Sequence, residues 1–296
     1  MHFQAQIISV QNKSKTNNLT FAAGTGLMDF SRPKIMGIIN TTPDSFYGGS
    51  RQRGTGEALR TAEKMIGEGA DILDIGGYSS RPGAGEVSEE EELLRVLSVT
   101  EAIHKNFPGT PISVDTFRST VAKACLDVGA VIVNDITAGT HSEDMFKTVA
   151  TFNASMVLMH MRGTPATMGK LTEYTDLITE VALYLKERID AAQQAGINDL
   201  IIDPGFGFAK TIDQNFEMLQ HLYHFQICGR PVLAGLSRKS MVWKTLGTNP
   251  EGALNGTTAL NMTALLKGAS ILRVHDVKPA AECVNLFVRM ENRSRV

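Results

Sequence analysis

Asn40, Asp74, Asp115, Asn134 with Asp135, His160, Asp203, Ser237 with Arg238 and Lys239, and Arg273 with His275 each stand at the carboxyl end of a short apolar run. A strand buried on both faces has no structural use for a carboxylate, amide or cation at its end. Gathered in one place, such groups bind a polar heteroaromatic ring or a phosphorylated ligand and stabilise charge that develops in a transfer reaction. In a (β/α)8 barrel, the carboxyl ends of the strands are where catalytic groups are mounted.

The segments around these residues narrow the chemistry. Asp203-Pro-Gly-Phe-Gly-Phe208 delivers a carboxylate and two aromatic rings to one place, which suits a flat heteroaromatic ligand; alone, it also fits a turn whose phenylalanines merely cover the barrel mouth. Asp74-Ile-Gly-Gly-Tyr-Ser-Ser-Arg-Pro-Gly-Ala84 leaves its strand through glycines and sets two hydroxyls and Arg81 on a loop of the kind that closes over substrates. Asn40-Thr-Thr-Pro-Asp44-Ser-Phe46 mixes oxygen ligands with an aromatic ring. Asn40 and Asp44 suit Mg²⁺, which keeps most of its water and binds through one or two protein oxygens plus substrate phosphate, although Asp44 after Pro43, taken alone, is more often a turn-former. Arg273 and His275 alternate along a strand, so both face one side and could hold a diphosphate. Ser237-Arg-Lys-Ser240 reads as a helix start, where backbone N–H groups favour an anion and Lys239 adds charge. No glycine-rich phosphate loop precedes it, and Gly24-Thr-Gly26 and Gly54-Thr-Gly56 are too weak for a dinucleotide site.

The elements that must position these groups follow from repeated punctuation. Gly69, Gly129, Gly196 and Gly268 each close a helical pattern and open a strand, as glycine does past a helix end. The expected strands are Ile35 to Ile39, Ile72 to Ile75, Pro111 to Val114, Val131 to Asn134, Ser155 to Met159, Leu200 to Asp203, Val232 to Ala234 and Ile271 to Val274. Helical patterns alternate with them: Ala58, Ala62, Met65 and Ile66 mark one apolar face over Glu57 to Glu68, and Leu177, Val181, Leu185 and Ile189 another over Thr172 to Ala195. The expectation is an α/β chain, a single-domain (β/α)8 TIM barrel over 34–290. An open doubly wound sheet gives a similar alternation, but would concentrate its polar ends at one crevice rather than on all eight strands. Residues 1–33 form an extension in which Ile7 to Val10 and Leu19 to Phe21 are expected to pair as a hairpin closing the lower end, and 291–296 form a short tail.

Composition excludes other classes. A net charge of -2 provides no basic face for nucleic acid. No window approaches the roughly 18 apolar residues of a membrane span, and the first residues lack a signal-peptide core, so a cytoplasmic protein is expected. Cys125, Cys228 and Cys283 are widely spaced and odd in number, which reads as free thiols rather than a disulfide framework or zinc site.

Taken together, GIINTTPDSF (37–46), DIGGYSSRPGA (74–84), VDTFR (114–118), VNDI (133–136), MHMRGTP (159–165), DPGFGFAK (203–210), GLSRKS (235–240) and RVHDV (273–277) resemble, in order, the signature segments of dihydropteroate synthases. That family joins 6-hydroxymethyl-7,8-dihydropterin diphosphate to 4-aminobenzoate in folate synthesis, and sulfonamides target it. The resemblance implies a pterin site of Asp115, Asn134, Ile136, Met159, Asp203, Lys239 and Arg273, with Asp115, Lys239, Arg273 and His275 as catalytic groups. It implies a 4-aminobenzoate site of Phe46, Ser80, Arg81, Pro82, Phe208 and Ser237, and a diphosphate site of Asn40, Arg273 and His275 with Mg²⁺ on Asn40. It further implies an SN1-like displacement without a covalent intermediate, and a homodimer. Two departures stand out. Many members have Ser-Thr-Arg-Pro where this chain has Ser79-Ser80-Arg81-Pro82, and the first loop lacks the Asp that commonly precedes its Gly-Gly. A pterin barrel serving methyl transfer would not need Arg273, His275 or the Ser80-Arg81 loop, and a noncatalytic paralogue would have lost some of these positions.

Overall fold

The computed structural model describes residues 20–23, 26–41, 51–78 and 87–293. A hairpin of β1 (Thr20–Ala23) and β2 (Gly26–Asp29) precedes an eight-stranded parallel sheet. Its strands are β3 (Lys34–Asn40), β4 (Ile72–Gly76), β5 (Ile112–Asp115), β6 (Ile132–Asp135), β7 (Ser155–Met159), β8 (Leu200–Asp203), β9 (Leu233–Ala234) and β10 (Ile271–Val274). Consecutive strands pair from β3 to β8, β10 joins β3 to β9, and a parallel bridge between Ile202 and Val232 closes the circle. The eight expected strands are present, shifted by no more than a residue or two at their ends.

Between strands run α1 (Arg51–Gly67), α2 (Glu89–Asn106), α3 (Ser119–Asp127), α4 (Met145–Thr151), α5 (Leu177–Gln194), α6 (Ile212–Gln220), α7 (Ser240–Thr245) and α8 (Leu254–Leu266); α9 (Val277–Arg293) follows β10. Three helix starts differ from expectation. The expected Thr172 start moves to Leu177 because the Asp176 carboxylate accepts the Thr179 N–H as an N-cap. Helix α7 starts only at Ser240, with Lys239 as its N-cap residue, so Ser237 and Arg238 lie in the loop before it. The helix expected from Glu57 already begins at Arg51. Gly69, Gly129, Gly196 and Gly268 all have positive φ, between 93° and 114°; at Gly129 a Cβ would also lie 2.4 Å from the His104 ring.

Strand side chains alternate between two destinations. Leu73, Ile75, Val114, Val133, Leu158 and Ile202 point outward into the core shared with the helices. Met36, Ile72, Ile132, Val157, Ile201, Leu233 and Ile271 point inward and form an apolar floor, against which Phe21, Met28 and Phe30 pack from the hairpin. The hairpin therefore plugs the lower end; the Leu19 to Phe21 run overlaps β1, which pairs with Gly26–Asp29, and the expected partner Ile7 to Val10 lies outside the described residues. At the other terminus α9 continues through 291–293, so the expected tail is partly helix.

Phe21 is 4% exposed and meets the Phe30 ring edge-on at 5.1 Å. Phe21→Ala should lower the unfolding free energy by about 3 kcal/mol, read as a shift in the urea midpoint.

Candidate active site

Two residues beyond five of the floor positions, the same strands present the side chains of the mouth. Ile72 is followed by Asp74, Ile132 by Asn134, Val157 by Met159, Ile201 by Asp203 and Ile271 by Arg273, all on the inward face because strand side chains repeat every second residue. Asp74 is fully buried. One of its oxygens accepts from Arg273 Nε at 2.6 Å and from Asn134 Nδ2 at 3.1 Å; the other, Oδ1, has no hydrogen-bond partner among the described residues. Arg273 Nη2 also donates to Asp115, tying β10 to both β4 and β5. Burial works against the Arg273 charge, but Asp74 and Asp115 outweigh it and raise its proton affinity. Asp115 itself is pushed above the usual carboxylate range by desolvation deep in the mouth, with Arg273 opposing and Asp74 reinforcing the shift.

A second charged group lies across the mouth. Asp203 accepts the Gly205 N–H at 2.7 Å, and its carboxyl is raised by burial against the pull of Lys239. Lys239 donates to the Phe206 carbonyl and holds its ammonium 5.1 Å from the Phe208 ring centre. Burial draws Lys239 down to about 8, with Asp203 resisting. Phe208 shares an apolar wall with Ile136, Met159, Phe117, Met161 and Met168. A flat ligand entering the mouth therefore meets carboxylates, a lysine and an arginine toward the floor, and an aromatic and thioether wall at the side.

Ser237 and His275 are brought together. The Ser237 hydroxyl accepts the His275 backbone N–H at 3.2 Å and lies 3.0 Å from its Nδ1. Between Ser237 and Lys239, Arg238 adopts φ 54° and turns to Asp276, with Nε and Nη2 on its two oxygens at 2.8 and 2.9 Å. Asn40 stands exposed at the end of β3. Phe46, Ser80, Arg81 and Pro82, with Asp44, lie outside the described residues.

Some polar strand ends serve the scaffold. The Asp135 carboxylate is spent on the turn that follows it, accepting from Thr137 N, Thr137 Oγ1 and Gly139 N at 2.7, 2.7 and 2.8 Å. His160 meets Lys210 rather than the mouth. Three contributors escaped the sequence reading of the site. Asp74 was visible only as a strand end, Arg238 as part of a helix start, and Phe117 carried no signal beyond lying in the VDTFR segment. A cleft of about 340 Å³ also opens at the lower end, beside Leu27, Met28, Lys34, Asp71 and His104. Its carboxylate is committed to Arg32 and the Ile35 N–H, and the converging charges lie at the opposite end.

Residues 36–275, from the first barrel strand to His275, match the family model described as pterin binding enzyme. The chain is 43% identical over 268 residues to the dihydropteroate synthase of Escherichia coli K12, covering 90% of this chain and 94% of that one. With the Bacillus subtilis dihydropteroate synthase it shares 41% over 264 residues, 88% and 90% of the two chains. Among solved structures, Yersinia pestis dihydropteroate synthase with a sulfonamide drug superposes with a TM-score of 0.87 at 38% identity, covering 93% of this chain and 100% of that one. The Xanthomonas albilineans enzyme in complex with 7,8-dihydropteroate superposes at 0.82 and 36%, covering 92% and 99%. The chain belongs to the dihydropteroate synthase family of pterin-binding enzymes.

Proposed function

We infer that this barrel joins 6-hydroxymethyl-7,8-dihydropterin diphosphate to 4-aminobenzoate, releasing pyrophosphate and 7,8-dihydropteroate, the condensing step of folate synthesis. The observation that carries the reading is the inward polar layer set two residues above an apolar floor, faced by a wall of Phe208, Met159 and Ile136. The 2-amino and ring N–H groups of a pterin are paired donors suited to the Asp203 carboxylate, and Lys239 donates to the 4-oxo group. Asn134 adds an amide, and the Arg273 guanidinium offers its face to the ring and Nη1, which makes no hydrogen bond to a described residue, to the diphosphate. The His275 imidazole, in a form protonated on the nitrogen away from Ser237, is a donor of the kind a phosphate oxygen accepts. Phe208, with Phe46, Ser80, Arg81, Pro82 and Ser237, is assigned to 4-aminobenzoate.

In the proposed SN1-like course the carbon–oxygen bond breaks with its electron pair leaving on diphosphate. The aniline nitrogen then bonds to the methylene carbon and loses a proton. Asp115 faces the developing cation and stabilises it in its carboxylate form. No protein nucleophile is required, and the Cys125 thiol, pushed up to about 12 by burial, is a poor one. Asn40 fits Mg²⁺ as a single neutral oxygen ligand at the mouth, the pattern for an ion held mainly by substrate phosphates. When bound, the ion would neutralise the departing diphosphate.

A homodimer and a cytoplasmic location complete the reading. Leu266 on α8 and Leu286 and Met290 on α9 are exposed apolar side chains on two helices that pack together, which supports self-association. Free Cys125, Cys228 and Cys283 suit a reducing compartment. Among the described residues no helix is long and apolar enough to cross a membrane.

Purified protein given both substrates and Mg²⁺ should form pyrophosphate and dihydropteroate in equal amounts, with sulfonamide inhibition competitive against 4-aminobenzoate; pterin binding without product would overturn the reading. Lys239→Ala should reduce kcat/KM by about a hundredfold while the far-ultraviolet dichroism stays native. Only the protonated lysine can serve the 4-oxo group, so kcat/KM for the pterin should fall as pH rises through about 8. A profile flat to about pH 10, where an unshifted lysine titrates, would remove Lys239 from that role.

A further inference from the structure

His160 and Lys210 stand out because the reaction as described uses neither, yet both are almost wholly buried beside it. Lys210 Nζ lies 3.1 Å from the Gly205 carbonyl, 3.0 Å from the Phe208 carbonyl and 3.0 Å from His160 Nδ1. An ammonium has three donors, and this one has three acceptors. The imidazole supplies its lone pair because it stays neutral: burial, reinforced by the Lys210 charge, holds His160 far below its ordinary range. The ring is fixed in turn by edge-on contact with Tyr184 at 5.0 Å, and the His160 backbone N–H donates to the Asp203 carbonyl at 2.9 Å. Burial lowers Lys210 to about 7; of its charged neighbours, Asp203 favours the cation, and Lys239 and Arg162 oppose it.

The carbonyls Lys210 holds bracket the Gly-Phe-Gly-Phe turn. Within that bracket the Phe206 carbonyl accepts from Lys239, and the Gly207 N–H donates to Asn215 Oδ1 at 2.6 Å. Just beyond it, the Ala209 carbonyl accepts from the Tyr174 hydroxyl at 3.0 Å. The turn has little slack, since a Cβ on Gly205 would lie 2.0 Å from the His160 carbonyl oxygen. Two lysines therefore grip successive carbonyls of one short loop, Lys210 from beneath and Lys239 from the mouth.

We propose that Lys210, oriented by His160, is a positioning residue for the condensation: it pins the Gly205 and Phe208 carbonyls so that the Phe208 ring and the Phe206 carbonyl stay registered against Lys239. The proposal rests on the synthase reading above. A group acting this way should show itself in substrate capture rather than in fold. Because the Phe208 carbonyl is held directly and Lys239 only through the turn, the 4-aminobenzoate subsite should feel the loss most.

The test is steady-state kinetics of the full chain with both substrates and Mg²⁺, for wild type, Lys210→Met and His160→Gln, below each variant's thermal transition. Lys210→Met should raise KM for 4-aminobenzoate about tenfold, more than KM for the pterin, with kcat within about threefold. His160→Gln keeps an acceptor for the ammonium and should shift the same KM in the same direction by less. If Lys210→Met does not fold, the His160→Gln shift decides alone. Unchanged KM values, or an equal loss for both substrates carried only by kcat, would overturn the positioning role while leaving the synthase reading intact. A wild-type chain that forms no dihydropteroate overturns both.

Discussion

One guanidinium shared by two carboxylates holds the mouth of this barrel in register. Arg273 on β10 reaches Asp74 on β4 and Asp115 on β5, partners 199 and 158 residues away in sequence. Burying Asp74 there is tolerable only because Arg273 compensates it, and removing Arg273 would leave a buried charge without compensation. The pairing is also incomplete by design of the sequence: Asp74 Oδ1 has no partner among the described residues, and Asp115 is driven toward its protonated form. Buried acceptors of that kind are costly until a donor arrives. A ligand rich in N–H groups supplies donors, so the instability of the resting site and its selectivity for such a ligand have one origin.

The strand period of two turns this local network into an architecture. The floor residues and the chemical residues belong to the same strands, one pleat apart, so rigidity below is transmitted directly to geometry above. Hence the hairpin matters to the site without touching it. Phe21, Met28 and Phe30 complete the floor, and the floor keeps Asp74, Asn134, Asp203 and Arg273 at a common level. The outward residues of those strands do the complementary task, seating helices whose own apolar faces are read off their four-residue spacing.

What the sequence revealed follows from the same physics. A polar group ending a fully buried strand is anomalous, and anomalies are legible, which is why Asp115, Asn134, Asp203 and Arg273 could be named without coordinates. Partnership is not legible, because it depends on closure of the barrel. Asp74 resembled any other loop start until Arg273 was seen beside it, and Asp135, equally polar, proved to be a turn-former. Short elements failed for a related reason. In β2 the single clearly buried side chain is Met28, too little periodicity to announce a strand. The start of α5 lies later than expected because a lone Asp176 cap outweighs the four permissive residues before it. Ile136 and Met159 came from the family resemblance, since an apolar residue at a strand end looks like core.

Arg238 shows how a residue that faces away from a site can still define it. Its left-handed backbone costs on the order of 1 kcal/mol, a conformation that bulky side chains seldom accept. Against that stand a two-pronged bond to Asp276 and donations to the Pro250 and Glu251 carbonyls at 2.9 and 3.1 Å, four charge-assisted contacts from one guanidinium. The sum favours the strained conformer. Its consequence lies on either side: Ser237 is placed on His275, and Lys239 on Phe206. Ser237 with His275 and Arg238 with Asp276 are thus two adjacent stitches between the same pair of loops. Serine, lysine and histidine reach the mouth in fixed relation because the arginine between them is anchored outside it.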